Sequence, residues 1–282
     1  MNKEFFLPDH FTKCKLTHWS ASSLNTPTDI WIFKYPYLQD LRRNLQVGVA
    51  ATAGGAVHDA MEWGVKNGEN KPDLYKATEK LKKHLPLDDI DSEKKEHYLD
   101  ILPDVVSMAW EALNVAGDKV LLGAEEWASI KVEGINLPII GRRDVYSNKL
   151  ELELKTKWPT PSTKKDGSRS WRQASLPTKP TADHLRQCSV YYKATGHDIS
   201  LVYVRQNDYK IFNKDNCEVL EREALDRVFL GLVQKATIRE NLVKMCDGDP
   251  KKMASITTPD FSHFMWDVGD IFMKEARELW KQ

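Results

Sequence analysis

Asp144, Glu153 and Lys155 are the residues whose types and spacing most directly suggest chemistry. Asp144 closes the run Gly141-Arg142-Arg143-Asp144, and Glu153-Leu154-Lys155 follows on what reads as the next strand. A turn at Ser147-Asn148 would make the two strands a hairpin and bring all three side chains together. Two carboxylates on adjacent strands form an oxygen-rich site for a hard divalent cation such as Mg²⁺. A lysine on the same face as Glu153 can orient or deprotonate a water. A bound metal would lower that water's pKa and offset charge on a phosphate in the transition state. These parts suffice for phosphodiester hydrolysis. The alternation of Leu150, Leu152 and Leu154 with Glu151, Glu153 and Lys155 also describes an ordinary strand with one face in solvent.

Three further features bear on the choice. His58 and Glu62 lie four apart on a helix after Gly54-Gly55, so both project from one face. A histidine on a helix is commonly structural, but a neutral imidazole near two carboxylates is also a metal ligand. His184, Gln187 and Tyr191 form a polar stripe on a second helix, suited to substrate phosphate or bases or simply to solvent. From Lys155 to Gln187 there are eight basic residues against two acidic ones, a local net charge of +6. Lys157, Lys164, Lys165, Arg169, Arg172 and Arg186 belong to this stretch, and Trp158 and Trp171 are interleaved with them. Cations alternating with aromatic faces suit a nucleic-acid backbone and unstacked bases.

The elements that must position these residues follow from periodicity. Residues 47–66 read as a helix with a small-residue patch from Ala50 to Ala56, followed by charged helices over 72–84 and 92–116. Pro103 marks a break or a start in the latter. Strands are expected at 125–132, 135–146 and 149–155, with Glu133-Gly134 a turn between the first two. A long, basic, unstructured loop is expected over 156–180, mobile without substrate. A helix over 181–195 should stop at Gly196, and 199–205 and 209–212 should pair as a hairpin. Amphipathic helices are expected at 218–246 and 261–281. The pattern predicts a mixed α/β fold in one domain, with an N-terminal helical part over 1–122, an α/β core over 123–213 and C-terminal helices over 214–282.

Composition bounds the rest. The 282 residues carry 41 basic and 41 acidic side chains, which speaks against a polybasic coat protein but allows a local basic groove. No apolar run is long enough to span a bilayer, and the N-terminus lacks a signal-peptide core. Cys14, Cys188, Cys217 and Cys246 are scattered without CxxC spacing, which suggests reduced thiols in a cytoplasmic compartment.

With these residues in order, the chain resembles the RecB-like nuclease group of the PD-(D/E)XK superfamily. The resemblance covers roughly residues 17–213. It rests on His58, Asp144, Glu153-Leu154-Lys155 and Gln187-Cys188-Ser189-Val190-Tyr191, with Trp19-Ser20-Ala21-Ser22-Ser23-Leu24 as an early Ser-x-Ser-x-Leu segment. It implies a restriction-endonuclease-like core, a mixed central sheet flanked by helices. It further implies Mg²⁺ or Mn²⁺, as a two-metal site, on His58, Asp144, Glu153 and the Leu154 carbonyl, with Lys155 positioning the attacking water. Gln187 and Tyr191 would contact substrate or steady the site, and Glu126 would stand in an outer shell.

The implied activity is a DNA exonuclease of phage recombination or repair type, acting on single- or double-stranded ends, with a recombination or single-strand-binding protein as a possible partner. Its setting would be a bacterial or phage-infected cytoplasm. A structure-specific or restriction-type endonuclease and a catalytically silent DNA- or partner-binding module are the alternatives. The scattered cysteines argue against the iron–sulfur cluster that many members of the group carry. No Walker A sequence accompanies the motif.

Overall fold

The computed structural model describes residues 7–69 and 71–281. Residues 1–6, read above as lacking a signal-peptide core, lie outside the described residues. In chain order the elements are α1 (Asp9–Lys13), β1 (Trp19–Ser20), α2 (Ala21–Asn25), α3 (Thr28–Ile32), α4 (Val49–Lys66), α5 (Leu74–Lys82) and α6 (Asp89–Ala116). Next come β2 (Gly123–Ile130), β3 (Ile139–Ser147), β4 (Leu150–Thr156), β5 (Thr160–Thr163) and β6 (Arg169–Arg172). The chain continues through α7 (Ala182–Thr195), β7 (Asp198–Arg205), β8 (Asp208–Phe212), α8 (Arg222–Met245), α9 (Pro250–Ser255) and α10 (Asp270–Leu279). Short 3-10 and π turns join some of them.

Two compact units divide the chain. The larger comprises Val47–Ala128 and Arg142–Asp226, and the smaller Met1–Gln46, Ser129–Gly141 and Arg227–Gln282. The expectation above was one domain in three linear parts; α4 and α6 pack on the sheet and α5 packs on those two helices, so all three fall in the unit that holds the sheet.

In the larger unit β3, β4, β7 and β8 are successive neighbours, and β2 also pairs with β3. Strands β3 and β4 are antiparallel, with Val145 opposite Leu152. Strands β4 and β7 are parallel, placing Glu153 beside Leu201 and Lys155 beside Tyr203, and β7 returns antiparallel as β8. The unit is thus α/β, with a mixed central sheet flanked by helices. On one face Leu152, Leu154, Val202 and Val204 join the apolar sides of α4, α5 and α6. On the other, Ile199, Leu201 and Tyr203 meet Cys188 and Tyr191 of α7. Both faces of β4 are therefore covered. Its alternating acidic face is not a solvent face, and Glu151 and Glu153 are buried with the leucines.

The helices follow from their patterning. The buried side of α4 is small: Ala53, Ala56, Ala60 and Gly64. A Cβ on Gly64 would lie 2.8 Å from the Trp110 ring, so glycine there permits the close approach of α4 and α6. Helix α6 runs through Pro103, where a break or a start was expected. Ile101, Leu102, Val105 and Val106 are all buried around it. That packing offsets an interior proline's cost of about 3 kcal/mol. Helix α7 ends at Gly196 in the left-handed region, whose N–H bonds the Tyr192 carbonyl.

The stretch expected as an unstructured loop contains an ordered hairpin. Strands β5 and β6 pair antiparallel, Ser162 opposite Ser170. Gly167 takes a positive φ of 82° in the connecting turn. Asp166 accepts the Ser168 N–H there at 2.9 Å. An Asp-Gly step between short β-prone runs is a turn signal in its own right.

In the smaller unit, β1 pairs in parallel with Ile139 and Ile140. Ser20 and Ser23 form a reciprocal capping box at the start of α2, which gives the Trp19–Leu24 segment a structural role. Ile30, Phe33, Trp266, Val268 and Ala276 build its aromatic core. No helix among the described residues is long and apolar enough to cross a membrane.

Candidate active site

Three elements of the larger unit converge on one point. Asp144, on β3, lies one position beyond the last paired residues of the β3–β4 ladder. Its Oδ2 accepts the Leu154 N–H at 2.8 Å, so the carboxylate itself takes over a main-chain donor of β4. Its Oδ1 lies 3.3 Å from Nδ1 of His58, on α4. That same Nδ1 is 3.7 Å from Oε1 of Glu125, on β2. One ligand atom from each of His58, Glu125 and Asp144 lies within 4.8 Å of the other two, close enough to hold a metal ion.

Glu125 was not among the expected site residues; Glu126 was. The backbone explains the exchange. Glu125 sits in the left-handed region, with φ of 56°, which interrupts the alternation of β2 and turns its side chain to the site. Glu126 points instead to the Arg143 guanidinium at 2.6 Å and accepts the Tyr146 hydroxyl at 2.9 Å. The adjacent acidic pair Glu125-Glu126 was the available sequence signal.

Glu153 is fully buried; its Oε1 meets the Lys155 ammonium, and its Oε2 has no hydrogen-bond partner among the described residues. Its charged neighbour is the Lys155 ammonium, in ion-pair contact. Burial, with the negative charge of Asp144, pushes the Glu153 carboxyl up to about 8 against the pull of Lys155. Burial would also raise Asp144, but His58, Lys155 and the Leu154 N–H bring it down to about 2. Burial disfavours the His58 cation, yet Asp144 and Glu125 outweigh it and hold the imidazole protonated up to about 10. Glu153 and Asp144 keep Lys155 charged, well above the ordinary lysine range, despite burial.

A buried carboxylate with one oxygen unpartnered, beside a second carboxylate and with a single lysine cation on it, favours a further positive charge. One imidazole nitrogen and carboxylate oxygens suit a hard or borderline divalent ion. The residues present therefore fit a metal, which would displace the His58 proton on binding.

Lys155 is aimed by a chain of hydrogen bonds. Its Nζ donates to Gln187 Oε1 at 3.1 Å, and Gln187 Nε2 donates to the Tyr191 hydroxyl at 2.7 Å. Tyr191 donates to the Arg142 carbonyl at 2.6 Å. The spacing of four on α7 is what lets Gln187 and Tyr191 meet. His184, on the same stripe, is 2.6 Å from the Tyr203 hydroxyl, and burial with the nearby Lys155 and Lys157 cations lowers it to about 4.

No family model matches the sequence. No curated protein matches it either. Among solved structures, the chain is similar to a candidate exonuclease from Eubacterium rectale at 12% identity, over 86% of each chain, with a TM-score of 0.46. It is also similar to the protein SSO0001 at 18% identity, over 60% of this chain and 84% of that one, with a TM-score of 0.28.

The basic residues expected to meet DNA divide by environment. Lys164, Lys165 and Arg172 are exposed on the hairpin. Arg169 is also exposed but ion-paired with Glu93. Lys157 lies over the Tyr203 ring, and Arg186 pairs with Asp183 at 2.9 Å. Trp158, expected beside DNA, is instead a core residue, 7% exposed and tilted against Tyr98 with Nε1 donating to Thr156. Trp171 stacks on His97 with ring centroids 4.0 Å apart. Tryptophan carries a large apolar surface, and here α6 and the sheet bury it more effectively than a substrate groove would expose it.

Proposed function

We propose that the protein is a metal-dependent deoxyribonuclease of the RecB-like PD-(D/E)XK type, acting as an exonuclease on DNA ends in phage-type recombination or repair. The observation that carries this reading is the fully buried Glu153 carboxylate, near Asp144, with one oxygen on the directed Lys155 ammonium and the other without a hydrogen-bond partner among the described residues. His58, Glu125 and Asp144, joined by Glu153 and the Leu154 carbonyl, would hold Mg²⁺ or Mn²⁺.

When bound, the cation supplies Lewis acidity at the scissile phosphate and a water of lowered pKa. The side chains contribute the rest. Lys155, held protonated by Glu153 and Asp144, orients the attacking water and balances charge on the phosphate. Gln187 and Tyr191 fix the direction of Lys155 and so act as positioning residues. Lys164, Lys165 and Arg172 draw the DNA backbone to the unit that carries the site.

The test is incubation of the purified protein with linear and with covalently closed circular DNA in Mn²⁺. Loss of linear DNA, sparing of circles and no loss with Asp144→Ala support the exonuclease. Cutting of circles makes it an endonuclease, and metal-independent binding without cleavage makes it a silent module.

A further inference from the structure

Arg142 and Arg143 are adjacent on β3 but serve different neighbours. Arg143 is mostly buried, paired with Glu126 and Glu151 and placed over the Tyr146 ring. Arg142 is 50% exposed, yet its Nε lies 2.5 Å from Oε2 of Glu125. Its Nη2 is 3.9 Å from Oε2 of Glu62, the acid one turn along α4 from His58. Glu125 thus faces His58 with one oxygen and Arg142 with the other. The Arg142 carbonyl accepts the Tyr191 hydroxyl, which fixes the main chain there. The Arg142 Nε also lies 3.4 Å from the Glu125 carbonyl, so in this structure the guanidinium is held on Glu125 at the end of a half-exposed side chain.

A guanidinium on Oε2 of Glu125 and a divalent cation drawing the same carboxylate toward His58 and Asp144 pull one side chain in two directions, so turning it to the cation weakens its contact with Arg142. A planar, permanently charged guanidinium is also well matched to the paired oxygens of a phosphodiester. We propose that Arg142 is a metal-triggered, substrate-binding residue. In the metal-free protein it neutralises Glu125. When Glu125 turns to a bound cation, Arg142 is released to grip a DNA phosphate beside the scissile one. This inference rests on the metal-dependent nuclease reading, and it predicts opposite effects on two ligands from one substitution.

The experiment is titration calorimetry of Mn²⁺ into wild-type, Arg142→Ala, Arg142→Gln and Asp144→Ala proteins, each checked for folding by circular dichroism. Fluorescence anisotropy of a labelled duplex in Ca²⁺ and in EDTA accompanies it. Removing the competing ion pair should tighten Mn²⁺ binding by up to about fivefold. DNA affinity should fall about tenfold in Ca²⁺ and by less than about twofold in EDTA, where Arg142 is already engaged. Unchanged or weaker Mn²⁺ binding in both Arg142 variants overturns the proposal. So does an equal loss of DNA affinity in Ca²⁺ and EDTA. Full Mn²⁺ binding by Asp144→Ala overturns the metal-site reading beneath it instead.

Discussion

Lys155 donates to Gln187 Oε1 at 3.1 Å, so the ammonium of one strand is aimed by an amide on the helix packed over it. That amide is in turn held by Tyr191. Gln187→Ala removes the aiming group while leaving His58, Glu125, Asp144 and Glu153 in place. Steady-state digestion should show turnover reduced roughly 10- to 100-fold, the usual effect of losing an outer partner of a metal site. Mn²⁺ affinity measured by calorimetry should stay at the wild-type value. An equal fall in Mn²⁺ affinity would make Gln187 part of the metal cluster rather than a support for Lys155.

Glu125 and Glu126 are neighbours with different surroundings, and their variants should separate. Glu125→Gln should weaken Mn²⁺ binding roughly 10-fold or more, by removing a carboxylate from the cluster. Glu126→Gln should leave Mn²⁺ binding unaltered, because its partners are Arg143 and Tyr146. The reverse order of effects would place the ligand on the wrong residue of the pair.

These two acids show what was legible in the sequence and what was not. Asp144, Glu153, Lys155 and His58 could be read because strand alternation and helical spacing carry side chains to predictable faces. The α/β order and the cap at Gly196 were legible for the same reason. Glu125 was hidden because one left-handed residue reverses the faces of β2, and nothing in Glu125-Glu126 marks which residue adopts it. Trp158 read as a substrate contact because its neighbours are cationic, whereas tertiary packing against Tyr98 decides its place. The hairpin of β5 and β6 carries a turn signal only in Asp166-Gly167, set within a long polar and basic stretch that lacks strand alternation. The contact of Arg142 with Glu125 joins two strands through side chains, and such pairs leave no local pattern.

Asp91 predicts a pH dependence of stability. It lies in the first turn of α6 and accepts hydrogen bonds from His84 Nε2 at 2.8 Å, the Val49 N–H at 2.9 Å and the Leu87 N–H at 3.1 Å. Burial alone would raise its pKa, but these donors hold the carboxyl below its ordinary range. A depressed pKa means that the contribution is complete above the unfolded-state value near 3.9 and is lost as pH falls through the lower folded-state value. Asp91→Asn should cost about 2–3 kcal/mol at neutral pH, for weakened charge-assisted bonds. Melting temperatures should show the gap between the two proteins closing toward pH 3. A gap that stays constant with pH would contradict this role.

The hairpin cations predict a change in salt dependence. Replacing Lys164, Lys165 and Arg172 by alanine should weaken DNA binding and lower the slope of log affinity against log salt by about 0.9 for each lost phosphate contact. Arg169→Ala should change the slope less, since Glu93 already neutralises that side chain. Anisotropy titrations over a range of salt concentrations measure both. An unchanged slope in the triple variant would remove the hairpin from the DNA path.

Digestion of end-labelled DNA tests the central claim most directly. Single- and double-stranded linear substrates are incubated with wild-type and Asp144→Asn protein in Mg²⁺, in Mn²⁺ and in EDTA, and the label is followed on a denaturing gel. The metal-dependent exonuclease predicts progressive shortening from an end in at least one divalent ion, none in EDTA and none with Asp144→Asn. Intact label under every condition, or equal cleavage by Asp144→Asn, would contradict it.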